Sequence, residues 1–475
     1  MKKQELEAIF AQQTAAVIAP AGHGKTEMIV DMVEYAGGRQ LLLTHTHAGV
    51  DALQKRLNHR GISKDKYTIS TIAAFCTKWG MAYCHTSAVD TALSPYRTKD
   101  EARRYYSQFY DGAKQLFQHN WAGRILQNSY SGIIVDEYQD CIQPHHEMFM
   151  VLSQYLPVRV LGDPLQGIFS FDDQQLVDWN RLGFPVVKVD TSPWRWSESN
   201  PALGQYLNDI RNTLWPALMG HPCTLDIESC NGGICVIDPQ IFNVYSLLGE
   251  FRQYKTVLYL TKWEAQQTNF CLRHPNIFQL DEKQECEDLF KYADSFSNKS
   301  GTDLMLEIIE FESKCSTKVK SELTSFTNRL AKGSFDFGHI KKNMEFGQLI
   351  GEIQAIDKHE AVLCALDWFE KNPNFKCYRK ELHSEMIRSV KYSRDHGISI
   401  YEAAVHIRKD PTLQKRYQGF KCLSSRTLLS KGLEFDCVII DMSTPLTAKE
   451  FYVALTRAMK KIYVLSQSSS LTLNP

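Results

Sequence analysis

Six short apolar runs set the terms for the first two hundred residues. "TAAVIAP", "QLLLTHT", "YTIST", "GIIVDE", "VRVLGD" and "PVVKVD" are strand-length, rich in Val, Ile and Leu, and close on polar or turn residues. Amphipathic stretches such as "GVDALQKRLNHR" lie between several of them. Apolar strands alternating with helices predict a parallel sheet covered on both faces, because a strand buried on both sides has no polar face to show. Ligands in such sheets collect at the carboxyl ends of the strands, where the polar endings fall.

A second α/β pattern begins near "GGICVID" and "KTVLYLTKWEA", resumes at "DCVIIDM" and closes with "FYVALTRAMKKIYVLS". The block between has helical periodicity ("HEAVLCALDWFEKN") and few strand signals. A basic, aromatic, helical segment ("KDEARRYYSQFYDGAKQLFQHNWAGRIL") likewise interrupts the first pattern. The expected division is 1–78 with 125–198, an insertion at 79–124, then 199–280 with 420–475, and an insertion at 281–419. A chain of 475 residues is long enough for such a multidomain plan.

Composition narrows the class further. With 54 basic and 54 acidic residues, the net charge is zero. Strong non-specific polyanion binding is not advertised, so any nucleic-acid groove must be local. Thirteen cysteines, without a C-x-x-C pair or a zinc-like spacing, read as reduced thiols rather than a disulfide framework. "MKKQELEAIFAQQ" has no apolar run after its lysines, and no stretch approaches the length that spans a bilayer. The expectation is a cytoplasmic chain with no membrane partner.

The chemistry starts at "APAGHGKTEMIV", Ala19 to Val30, between a strand and a helix that begins at the lysine. A glycine loop in that place aims backbone N–H groups and the helix dipole at one point, which suits phosphate. Ala21, Gly22, His23 and Gly24 form the cradle, Lys25 would reach the β/γ-phosphates, and Thr26 would hold Mg²⁺. Ala19 stands where the general pattern has glycine. In "IIVDEYQD" a hydrophobic strand ends in Asp136 and Glu137. One acid would hold the metal and the other would take a proton from the attacking water. "LGDPLQGIF" supplies Gln166 to position water or sense a γ-phosphate, and "SPWRW" supplies Arg195. "SKGLEFD" and "VALTRA" supply Glu434 and Arg457, the latter suited to transition-state charge on a phosphoryl group.

In order, wording and spacing these pieces resemble the superfamily 1 DNA helicases of the UvrD/PcrA/Rep type. The resemblance also takes in Gln4, "LLLTHTHAG", "ISTIAAFC", "GDPLQGIFSF" and "LSKGLEFD". In that family the loop commonly begins with alanine, so Ala19 is the expected residue. The resemblance implies two RecA-like P-loop domains with helical insertions, ATP and Mg²⁺ as cofactors, and 3′ to 5′ movement on single-stranded DNA. It implies that Gln4 reads the adenine, Trp194 stacks on it, and Arg195 and Arg457 are arginine fingers. Gln166 becomes the γ-phosphate sensor and Glu434 the ribose or coupling glutamate. Thr46, His47 and Phe171 fall where the family contacts single-stranded DNA, with Lys262 in a looser match.

The chain departs from the family at Asp172, where an arginine is expected, at Ala73, where a histidine is, and at Arg426-Thr427-Leu428. The last two concern the DNA side, so ATP hydrolysis is better grounded than unwinding. Compact proteins of this kind resemble the helicase-like subunit of the Gabija anti-phage system, which works with an OLD-family-like nuclease. The alternative to a motor is therefore a nucleotide- or DNA-sensing ATPase subunit that regulates a partner nuclease. Two features stand apart. His45 and His47 alternate on one strand face with no acidic or cysteine partner nearby in sequence, which favours packing or DNA proximity over a metal. The aromatic insertion would either line a DNA channel or form a local core.

Overall fold

The computed structural model describes residues 1–93, 99–168, 175–227, 233–282, 286–353, 355–409 and 420–475. Two compact units emerge: 1–253 with 430–475, and 254–429. In chain order the first opens with α1 (Lys3–Phe10), β1 (Thr14–Ile18), α2 (Lys25–Tyr35), β2 (Gln40–Thr44), α3 (His47–His59) and β3 (Tyr67–Thr71). Next come α4 (Ile72–Ala82), α5 (Cys84–Ser87), α6 (Lys99–Phe117), α7 (Asn120–Ser129), β4 (Gly132–Val135), α8 (Gln143–Leu152) and β5 (Val158–Gly162). These are followed by α9 (Pro201–Leu214), β6 (Cys223–Asp226), β7 (Ile234–Ile237) and α10 (Leu248–Phe251).

The five-stranded sheet has the order β1-β5-β4-β2-β3, all parallel. Its strands read as unbroken apolar runs because successive residues feed opposite cores. Leu41, Leu43, Ile133, Val135 and Ala16 join one cluster, while Leu42, Ile134, Ala15 and Val17 join the other with Met28, Ile29 and Leu53. "PVVKVD" departs from expectation. It runs beside edge strand β1 with a single bridge, Val186 to Ala16, rather than as a strand. Pro185 has no N–H to give, and Val186 is half exposed, so the segment lacks both a ladder and a second covered face.

The buried side of the aromatic insertion joins the core on one face of the sheet. Phe109, Ala113, Leu116 and Phe117 of α6 are fully buried in the cluster beneath α4 and α8. Their spacing of three and four places them on one helical stripe. Arg103 and Arg104 stay exposed on the other side.

The second unit contains β8 (Val257–Thr261), α11 (Glu264–Arg273) and β9 (Gln279–Leu280). A helical block follows: α12 (Glu287–Asn298), α13 (Gly301–Cys315), α14 (Val319–Leu330), α15 (Met344–Ile353), α16 (Lys358–Lys371), α17 (Lys380–His396) and α18 (Ile400–Lys409). The unit closes with β10 (Cys422–Arg426), and the helical block has its own core around Phe296, Phe311, Phe326 and Leu366. The chain then returns to the first unit as β11 (Phe435–Asp441), α19 (Ala448–Leu455), β12 (Ala458–Leu465) and β13 (Ser470–Leu473). In the first unit β7, β12 and β11 lie parallel in that order, and in the second β8, β10 and β9 do the same. The expected α/β class with two helix-flanked parallel sheets is what the chain adopts. No helix among the described residues is long and apolar enough to cross a membrane, and the described cysteines are free thiols.

Candidate active site

The loop after β1 owes its shape to two left-handed glycines. Gly22 has φ +70° and Gly24, the N-cap of α2, has φ +83°. A Cβ at Gly22 would lie 2.6 Å from the Trp196 ring, so the loop packs as closely as glycine allows. Ala21 N–H donates to Asp163 Oδ2 at 3.2 Å, and the Gly22 carbonyl accepts from Arg195 N–H at 3.0 Å. α2 then starts at Lys25, and its first N–H groups have no acceptor within the helix. Those donors and the helix dipole form an anion-binding terminus. His23 turns inward, 4% exposed, beside Trp196 and Tyr452. Its Nδ1 lies 2.8 Å from the Ala21 carbonyl, and burial above all holds the ring below its ordinary pKa, hence neutral.

At the end of β4, Glu137 adopts φ +53°, a strained conformation for a side chain of this size. Its Oε2 accepts from Lys25 Nζ at 2.7 Å and from Gln139 Nε2 at 2.5 Å. Burial alone would push the Glu137 carboxyl up, but the Lys25 and Lys431 ammonium groups outweigh it and hold it well below the carboxylate range. Asp136 next to it is shifted the other way, by burial and by the negative charge of Glu137. Two adjacent acids thus take on different characters, in the reverse sense to their expected roles: the expected base is the weaker one, and the expected metal ligand is the one burial keeps from ionising.

β5 lies between the loop strand β1 and the carboxylate strand β4, so its end projects Asp163 and Gln166 into the same place. Gln166 is 4% exposed, and its Oε1 accepts from Arg457 Nη2 at 3.4 Å. Arg457 is 2% exposed and spends its other donors on the Val453 and Leu433 carbonyls and the Thr456 hydroxyl. All four acceptors are neutral, and no carboxylate lies within ion-pair distance of Arg457 among the described residues. Burial, with the nearby Arg195 charge, lowers its pKa to about 9. Glu137 and Glu434 attract the cation from farther off without outweighing its burial, and an arriving anion would offset the remaining cost. Arg195 donates to Glu434 Oε1 at 2.7 Å and to the Thr456 carbonyl at 2.6 Å. Trp194 is 66% exposed, and its Cδ1 lies 3.3 Å from where a Gly24 Cβ would stand, leaving an open indole face beside the loop.

Of the other residues singled out from the sequence, Thr26 sits in the first turn of α2 and Gln4 is exposed on α1. Thr46 caps α3 by accepting from Gly49 N–H at 3.0 Å, and His47 is the exposed first residue of that helix. Lys262, in the second unit, lies 5.7 Å over the exposed Trp263 ring. Phe171 and Asp172 lie outside the described residues. His45 is a packing residue: its Nε2 meets Cys141 Sγ at 3.5 Å and its ring lies 5.9 Å from that of His145. No metal-binding group of His, Cys, Asp and Glu occurs among the described residues.

Sequence reasoning missed Asp163, Arg211, Tyr452, Asp140 and Lys431. Lys431 Nζ pairs with the buried Asp140 carboxylate and the Gln166 carbonyl. The signals were present, since Asp140 ends "VDEYQD" and Lys431 opens "KGLEF", but partners 291 residues apart leave no local trace.

Residues 2–172 match the model of the family described as AAA domain. No curated protein matches the chain. Among solved structures it is similar to the Pif1 helicase of Candida albicans, at 10% identity and a TM-score of 0.39, covering 99% of this chain and 95% of that one. It is also similar to the arterivirus nonstructural protein 10 helicase, at 12% identity and a TM-score of 0.36 over 97% of this chain. The chain spans 61% of the arterivirus protein's length.

Proposed function

We propose that this chain is an ATP hydrolase that couples hydrolysis to 3′ to 5′ movement on single-stranded DNA. The observation that carries the reading is convergence. A glycine loop opening a helix, a Lys25–Glu137 pair at 2.7 Å, Gln166 and the buried Arg457 meet in one cluster. The α2 terminus and Lys25 bind the phosphates, and the exposed Trp194 face takes the base with Gln4. Thr26 hydroxyl and Asp136 carboxylate are hard oxygen donors, a set that suits Mg²⁺, and a cation there would favour the ionised Asp136 that burial disfavours. A bound Mg²⁺ would neutralise charge on the β- and γ-phosphates.

Glu137 is the base that takes a proton from the attacking water. Paired with Lys25 it is a weak one, because the ammonium holds its pKa down. When Lys25 turns to a phosphate, that partner is lost and the proton affinity of Glu137 rises. Nucleotide binding thereby switches on the base. Arg457 and Arg195 stabilise charge on the transferring phosphoryl group. Thr46 and His47 at the start of α3 are the proposed strand contacts.

The test is hydrolysis by the isolated chain with and without single-stranded DNA, alongside unwinding of a 3′-tailed duplex. Stimulation by the strand, abolished in Lys25→Ala, is the expected result. Turnover retained in Lys25→Ala would refute the site, and strand-indifferent hydrolysis would refute the motor.

A further inference from the structure

One buried carboxylate touches the loop, Gln166 and α19 at once. Asp163, at the end of β5, is 0% exposed. Its Oδ2 accepts from Ala21 N–H of the loop at 3.2 Å, from Gln166 Nε2 at 3.3 Å and from the Tyr452 hydroxyl at 3.1 Å. Its Oδ1 accepts from Arg211 Nη2 at 3.0 Å and Leu165 N–H at 3.4 Å. Tyr452 belongs to α19, and that helix leads directly into Arg457. Arg457 in turn donates to Gln166, whose amide returns to Asp163. The contacts close a ring through two chain segments 289 residues apart.

We propose that Asp163 is a positioning residue that passes the placement of α19, through the Tyr452 hydroxyl, to the phosphate loop and Gln166. The inference rests on the hydrolytic reading above. Three donors compete for one oxygen, so a shift of α19 that withdraws the Tyr452 hydroxyl alters the hold on Ala21 and on the Gln166 amide together. The loop and the sensor are then in register only when Arg457 is in place. A carboxylate that merely satisfied buried donors would stabilise the fold without tying these groups to one another.

Tyr452→Phe removes the hydroxyl and keeps the ring. Measured well below its melting temperature, it should lower kcat about tenfold with KM for ATP changed less than about twofold. Gln166→Ala with Tyr452→Phe should lose clearly less than the product of the two single losses, because both act through one oxygen. A kcat within about twofold of the parent, or losses that multiply in the double variant, would overturn the coupling while Lys25-dependent hydrolysis still upheld the site. Hydrolysis that survives Lys25→Ala would overturn site and coupling together. The unmodified chain gives a check free of folding effects. On adding a non-hydrolysable ATP analogue, amide exchange at Ala21 and in α19 should slow together, and slowing in only one of them would also overturn the proposal.

Discussion

Lys25 and Glu137 answer each other's charge, and each is expected to change its task when nucleotide arrives. Glu137→Gln should therefore reduce kcat by at least about a hundredfold while nucleotide affinity holds or improves, since Lys25 loses its competing partner. Steady-state kinetics with a fluorescent-nucleotide titration would separate the two effects. Gly22→Ala forces a side chain onto φ +70° and against the Trp196 ring, so it should weaken nucleotide binding and lower the melting temperature. Burial holds His45 down to about 3 and His145 well below its usual range. Between about pH 6.5 and 3 the unfolded chain binds protons that these rings refuse, so stability falls as the pH drops through that window. His45→Gln should flatten that fall in denaturant midpoints measured from pH 7 to 5. At this scale the sequence displayed contiguous chemistry well, as in Ala21 to Thr26 and Asp136-Glu137. It hid Asp163, Arg211 and Tyr452, whose meaning lies in hydrogen bonds to distant segments.

At the scale of elements, the apolar runs announced β1 to β5 because both sheet faces are buried. "PVVKVD" misled because composition does not say whether a neighbour will cover the second face. The aromatic stripe of α6 packs into the core of the sheet, a partner that periodicity alone does not name. In the second unit, Arg379 joins the end of β9 to the starts of α12 and α17, holding Glu282 at 2.7 Å and Asp288 at 2.6 Å. Glu282 is 4% exposed, so removing its partner strands a buried charge. Arg379→Ala is expected to destabilise the unit by about 3–5 kcal/mol, read as a shift in urea midpoint at an unchanged slope.

At the scale of the molecule, charge balance has a practical outcome. With equal numbers of acids and bases and an isoelectric point near 7.2, solubility should pass through a minimum close to neutral pH. Light scattering across pH 6 to 9 at low salt would show it. The order in which the cluster is assembled has another outcome. Residues 254–429 form a unit of their own before the chain returns to the first. Lys431, Glu434, Tyr452 and Arg457 all belong to that return. Domains form largely as they leave the ribosome, so a nascent chain has its loop, its acids and Asp163 long before the residues that complete their contacts. The cluster is finished only when residues 430–475 have been made, and a chain halted before them lacks the buried Arg457.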